Sequence, residues 1–371
     1  MKKTLAAIAV LGAFAGSALA ADVTLYGRVD TGFQYNHVNP DIDSAKDVTK
    51  NSFKMEPGQS SGSRWGLKGV EDLGAFKVGF VLEDGFASDT GAEIDAMFDR
   101  ESSLFIEGAF GKLAVGHIGS INGGTGSFAQ VGAASVFGTS YGNAALTKIL
   151  NGGAKYDNMV TYQTPTFAGV TGYVQYGMGA NDNENESSTN RYYAAGATYK
   201  NGPLVGFFSV DSINYQTYGA AGSSKNINDS LQVTAAVNYN FDVATVYFGA
   251  QYFDEVANGL DALFTHQKDQ KIKGYGVTAS VAAPVAGGKL MAALGYKDAS
   301  AADSVTDVNK DNDFDLTRYQ AAVGYNYSLS KRTSVYAVAS MLKDKVEYAV
   351  KADDDDKLTT YQAMFGLLHT F

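Results

Sequence analysis

The chain contains no cysteine, so no disulfide framework holds it together. Proline is scarce, at five in 371 residues, and there is a single tryptophan. No stretch after the first twenty residues approaches the eighteen or so uninterrupted apolar positions of a membrane-spanning helix, which excludes a helical membrane bundle. Positive charge is also in short supply, with 29 Lys and Arg against 39 Asp and Glu for a net of −10. That balance argues against nucleic acid as a partner. The four histidines, His37, His117, His266 and His369, stand far apart without metal-ligand spacing, and no motif asks for a cofactor.

What the chain has instead is glycine and aromatic side chains: 42 Gly, 23 Tyr and 21 Phe. This pairing suits twisted strands, tight turns and interfacial belts. Read backwards from Phe371, one face carries His369, Leu367, Phe365, Ala363 and Tyr361. The other carries Thr370, Leu368, Gly366, Met364 and Gln362. A period of two over about ten residues is the length of a tilted membrane-crossing strand. The pattern recurs along the chain, from Val23–Phe33 onward, in about sixteen segments. Short gaps with turn chemistry, such as Glu71-Asp72-Leu73-Gly74 and Asn201-Gly202-Pro203, alternate with long polar ones such as 181–190, 254–270 and 298–315. The expectation is an all-β fold: a transmembrane antiparallel β-barrel of about sixteen strands, short turns on one side and long loops on the other.

The N-terminus reads as an export leader over residues 1–20, with Lys2 and Lys3, an apolar core from Leu5 to Phe14, and the cleavage string Ala18-Leu19-Ala20. The barrel domain is then expected over 21–371. Within it, Val23, Leu25, Val29 and Phe33 share one side of the first strand, and Thr24, Tyr26, Arg28 and Asp30 the other. Trp65 and Leu67 oppose Arg64 and Lys68, while Phe76, Val78, Phe80 and Leu82 oppose Lys77 and Glu83. Charges on a lipid face cost about 2–4 kcal/mol at the midplane, so these belong in a wet lumen. A barrel of about sixteen strands is too wide for side chains to plug. The fourth strand fits less well, because Glu101 and Glu107 fall on the side opposite Arg100; rim positions and a subunit contact both stay open.

Six strings, in order, resemble the general porins of Gram-negative outer membranes. They are Leu25-Tyr26-Gly27-Arg28-Val29-Asp30; Ser63-Arg64-Trp65-Gly66-Leu67-Lys68-Gly69 with Glu71-Asp72-Leu73-Gly74; Phe98-Asp99-Arg100 through Phe110-Gly111; Asp157-Asn158 through Tyr162; Thr164-Pro165 with Phe167-Ala168-Gly169; and Gly366-Leu367-Leu368-His369-Thr370-Phe371. The resemblance covers nearly all of the chain after its leader. It implies a homotrimer in the outer membrane, amid lipid and lipopolysaccharide, passing ions and small hydrophilic solutes by diffusion. It implies recognition of Phe371 by the barrel-assembly machinery, and a third loop, about 118–154, folded into the lumen. It also carries a basic wall onto Arg28, Arg64 and Arg100, with Lys155 as a fourth rung.

One departure stands out. Residues 118–154 hold no Asp or Glu and one lysine, Lys148. The acidic side of the constriction field must come from elsewhere, with Asp30, Glu83, Asp99 and Asp157 as candidates. The constriction is expected to be neutral to mildly anion-favouring, opposed by acidic outer loops.

Other strings have bland readings. Gly58-Gln59-Ser60-Ser61-Gly62 and Gly138-Thr139-Ser140-Tyr141-Gly142 match a nucleophile-elbow pattern, but the strand-then-helix context is missing. Asp353-Asp354-Asp355-Asp356 reads as a solvated loop tip, or as a weak divalent-cation site beside lipopolysaccharide phosphates. The expectation is therefore a channel without chemistry. A substrate-selective channel, or a surface adhesin or receptor acting through the outer loops, is the alternative.

Overall fold

Alternation of small or polar with apolar side chains carries each segment of the wall, and the turns between segments are built from local chemistry. In the computed structural model, residues 23–42, 50–179, 190–215, 228–264, 267, 270–306, 313–348 and 355–371 are described. The first strands are β1 (Thr24–Asp41), β2 (Lys50–Pro57), β3 (Arg64–Asp72), β4 (Phe76–Gly85), β5 (Glu101–Gly108) and β6 (Gly111–Gly119). After a long connection come β7 (Lys155–Gln163), β8 (Val170–Gly177), β9 (Arg191–Asn201), β10 (Leu204–Asn214), β11 (Leu231–Asn240) and β12 (Thr245–Ala257). The last are β13 (Lys271–Val285), β14 (Gly288–Ala301), β15 (Phe314–Ser328), β16 (Thr333–Tyr348) and β17 (Asp356–Thr370).

From β3 onward each strand pairs antiparallel with the next in sequence, and β17 returns to β1 along Arg28↔Thr370 to Asp41↔Lys357, closing the sheet. Two strands share one wall position. The first part of β1 pairs with β3 (Thr24↔Lys68 to Arg28↔Arg64), and the later part with β2 (Thr31↔Pro57 to Val38↔Lys50). The wall is therefore a closed antiparallel barrel of sixteen strands, as the sequence predicts. Closure leaves no long unpaired edge, the requirement for a sheet in lipid. The turn between β3 and β4 shows the local logic: Gly74, at φ +86°, donates its N–H to Asp72 Oδ1 at 2.8 Å.

The two faces of the wall differ as membrane and water require. Leu25, Phe208, Phe248, Leu294, Val323, Phe365 and Leu367 are exposed on one face. The enclosed face carries Asp30, Gln175, Thr234, Gln251, Lys297, Arg318, Gln320 and Gln362, all buried. The structure also exceeds the sequence reading on the loop side. β16 runs to Tyr348, past the point where apolar residues alternate on its outward face, since Lys343, Lys345 and Glu347 take those positions at the loop end.

Candidate functional site

Segment 120–154, between β6 and β7, is held by the wall's own side chains. At its start, Glu101 accepts hydrogen bonds from Ser127 N (2.7 Å), Ser127 Oγ and Ser103 Oγ (2.7 Å). Gln175 accepts from Ile121 N at 2.8 Å and donates to Gly119 O at 3.1 Å. Further along, Gln251 clamps Asn151 from both sides, accepting from its N–H at 2.6 Å and donating to its carbonyl at 2.8 Å. Gln320 donates to Asn143 O and Ala145 O at 2.7 and 2.8 Å, and Gln362 accepts from Asn143 N at 2.9 Å. A primary amide carries donors and acceptors at once, so one glutamine satisfies both faces of a peptide group. These glutamines are site residues that sequence reasoning missed. The available signal is a glutamine on the polar face of an alternating strand, which alternation alone reads as merely wetted.

Apolar packing completes the seat. Val131, Ala134, Leu146, Ile149 and Leu150 pack with Phe207 and Ala236, and Phe137, Tyr141 and Ala144 with Met291, Tyr336 and Met364. Two glycines permit this closeness: a Cβ on Gly276 would lie 2.3 Å from Ile149 O, and one on Gly295 would lie 2.4 Å from Ile149 Cγ1.

Between the segment's other edge and the β2–β3 region lies a cavity of about 360 Å³. Glu56, Arg64 and Arg100 line one side, and Thr125, Thr139 and Ser140 the other. Glu83 organises the charges. Its Oε1 accepts from Arg100 Nε at 2.7 Å, while its Oε2 accepts from Tyr26 Oη at 3.1 Å and lies 3.6 Å from Arg64 Nε. Arg28 reaches the same place by donating from Nη1 to Ser61 Oγ, at 2.9 Å. The structure thus brings together Arg28, Arg64, Arg100 and Glu83. Arg100 breaks the alternation because it precedes β5, leaving a bend in which Phe98 has φ +59°. Glu101, the first residue of β5, then falls on the enclosed face, where it holds Ser127.

The remaining sequence candidates lie elsewhere. Asp30 is fully buried and serves the break between β2 and β3: its carboxylate accepts from Ser60 N and Ser61 N, both at 2.7 Å, and from Tyr336 Oη at 2.6 Å. Lys68 stands over the Tyr26 ring at 5.1 Å, and Lys77 is exposed beside the β3–β4 turn. Lys155 pairs with Asp99, the residue before Arg100, at 3.0 Å, and Asp157 pairs with His117 at 2.5 Å. On β7, Tyr156 between them packs into a buried cluster, so the two charges point the other way. Lys148 sits within segment 120–154, where burial and the nearby Arg318 push its amine below the usual lysine range. Asp355 lies 3.0 Å from Lys345, and Asp356 accepts from Tyr348 Oη at 2.6 Å. Asp353, Asp354 and His266 fall outside the described residues. Among the described residues, no three His, Cys, Asp or Glu converge as a metal site. Ser60 shares a 2.8 Å hydrogen bond with the Tyr141 hydroxyl, a tie between the wall and segment 120–154.

A closed sixteen-stranded barrel with an apolar outer face and arginines on its enclosed face defines the class of outer-membrane channel proteins. The sequence profile of Gram-negative porins matches residues 5–346, and the chain belongs to that family. It is 30% identical to an outer membrane porin protein of Bordetella pertussis, over 93% of this chain and 95% of that one. It is 28% identical to the major outer membrane protein P.IB of Neisseria meningitidis serogroup B, over the full length of both. Among solved structures, the anion-selective porin from Comamonas acidovorans shares the fold with a TM-score of 0.67 at 24% identity, covering 95% of this chain and all of that one. The chain is thus an outer-membrane β-barrel porin, a channel protein.

Proposed function

We propose that the chain is a general diffusion porin whose narrowest point is the gap between Arg28, Arg64 and Arg100 on the wall and the hydroxyl-bearing edge of segment 120–154. The observation that carries this reading is the 360 Å³ polar cavity between Arg64 and Arg100 on one side and Thr125, Thr139 and Ser140 on the other. Segment 120–154 lies in the bore and narrows it. Arg64 and Arg100 stand on one side of the gap with Glu56, which pairs with Lys54 at 2.6 Å, and the facing edge carries no acid. Glu83 partly neutralises two of the arginines, which leaves a weak preference for anions. Ions and small hydrophilic solutes pass by size and charge, with no energy source and no cofactor.

The working form is a homotrimer exported through a leader over 1–20 and assembled from its C-terminal strand by the barrel-assembly machinery. Exposed Phe53, Ile94, Met97 and Leu104 suit the burial of early strands between copies.

Liposome swelling with uncharged sugars of rising size tests general diffusion. The expected result is a rate that falls smoothly with size and stays proportional to concentration. Saturation at low concentration for one sugar would overturn the reading in favour of a substrate-selective channel. No swelling from folded protein would leave the outer loops, and a receptor role, as the reading.

A further inference from the structure

The loop side of the barrel has a feature that a simple water-filled bore does not explain. On the enclosed face, where the family's channel carries water, eleven residues form a buried apolar cluster: Phe253 and Val256 of β12, Ile272, Ala299, Ala301, Phe314, Leu316, Val346 and Leu358 from β13 to β17, Ile42 just after β1, and Phe264. Phe264 belongs to the connection between β12 and β13, and Leu260 and Leu263 of the same connection pack against the cluster. Apolar side chains facing a wet lumen are unfavourable unless something covers them. Here the 258–264 stretch does. Asn258, fully buried, turns the chain back by donating from Nδ2 to Gln270 O at 2.8 Å and accepting from Leu260 N at 2.8 Å.

One side chain joins this stretch to segment 120–154. Arg318 of β15 is 2% exposed. Its Nε and Nη2 donate to the two carboxylate oxygens of Asp344, at 2.5 and 2.9 Å. The same guanidinium donates from Nη2 to Gly259 O at 3.0 Å and from Nη1 to Lys148 O at 3.1 Å. An arginine presents five donors in a rigid plane, so it can hold a carboxylate and two carbonyls from separate segments at once. A lysine ammonium has three donors around one point and cannot span that arrangement.

We propose that Arg318 is a positioning residue that sets the width of the channel by locking the 258–264 stretch and segment 120–154 together over the β12–β17 side of the bore. The conducting path is thereby confined to the side lined by Arg28, Arg64 and Arg100. This rests on the channel reading above. It goes beyond that reading by assigning a second occluding stretch and the residue that holds it.

The chain's lack of cysteine makes it a ready background for single-cysteine labelling. L316C places a thiol in the cluster that includes Phe264, and a charged, water-soluble thiol reagent reports whether the cluster is covered. In otherwise unchanged trimers the expected labelling is slow, and rapid labelling would overturn the proposal without any further variant. Adding R318A should speed labelling about tenfold or more, the factor expected from losing charge-assisted hydrogen bonds that hold a local segment. R318A alone should raise single-channel conductance. R318K, which keeps the charge but not the fork, should label as fast as R318A while still resisting heat in electrophoresis. If R318A fails to fold, F264S serves instead, with the same expected rise in labelling and conductance. Unchanged labelling and conductance in folded R318A or F264S would sink the proposal. Absence of conductance in the parent protein would instead fail the channel reading.

Discussion

Glu83 is the residue on which the electrostatics of the proposed gap turn. It is the carboxylate that Arg100 binds directly and Arg64 approaches, so each arginine's effect on passing ions is discounted by it. A unit charge about 4 Å from an ion is worth about 1 kcal/mol in bulk-like water, and more beside a protein wall. R64A or R100A should therefore move the permeability ratio toward cations by a few-fold, and E83Q should move it toward anions. Reversal potentials under a salt gradient check both, and equal potentials in all three variants would contradict the assignment. Asp30 makes a different prediction, because it is buried and engaged by two backbone N–H groups and a tyrosine hydroxyl. Leaving such donors unpaired costs about 1–3 kcal/mol each. D30A should thus lower the temperature at which the folded band disappears in electrophoresis, well below that of the parent. An unaltered transition would show that the β2–β3 break does not depend on this carboxylate.

At the scale of elements, segment 120–154 depends on a wall made smooth for it. Gly276 and Gly295 leave no room for a side chain beneath Ile149, so G276V or G295V should lift the segment from the wall. Single-channel conductance then falls as the segment is pushed across the gap; a conductance equal to the parent's would place the segment elsewhere. Little of this seat was legible in the sequence. Alternation identifies which face of β12, β14, β15 and β17 is polar, but it does not distinguish Gln251, Gln320 and Gln362 clamping a backbone from glutamines wetted by the lumen. The same limit applies to Lys155 and Asp157, which follow the long segment and whose face depends on where β7 begins. β2 escaped notice for another reason. Lys50-Asn51-Ser52-Phe53-Lys54-Met55-Glu56-Pro57 is short, charged and ended by proline, and among the described residues it pairs with β1 alone. By contrast the sixteen wall positions were legible, because lipid on one face and water on the other impose a period of two on every crossing strand.

At the scale of the whole molecule, closure by β17 on β1 gives an enclosed space, which the proposed placement of segment 120–154 divides unequally. On that proposal packed protein fills one side, and the other retains arginines, hydroxyls and a polar cavity. The proposed function then expects weak charge filtering, since the basic residues stand on one wall and the facing edge is neutral. On the same proposal the acidic loop sequences oppose this preference, within a Debye length of about 10 Å at moderate salt. Lowering the salt should therefore weaken or reverse the anion preference, and a preference independent of salt would place the whole filter at the gap. The most direct test of the account is the reversal potential of purified trimers in a planar bilayer under a potassium chloride gradient at moderate salt. The account predicts currents that open in three equal steps and a potential of the sign set by mild chloride preference, shifting toward potassium in R64A. Silent bilayers from correctly folded protein, or a potassium-selective current that R64A and R100A leave unmoved, would contradict it.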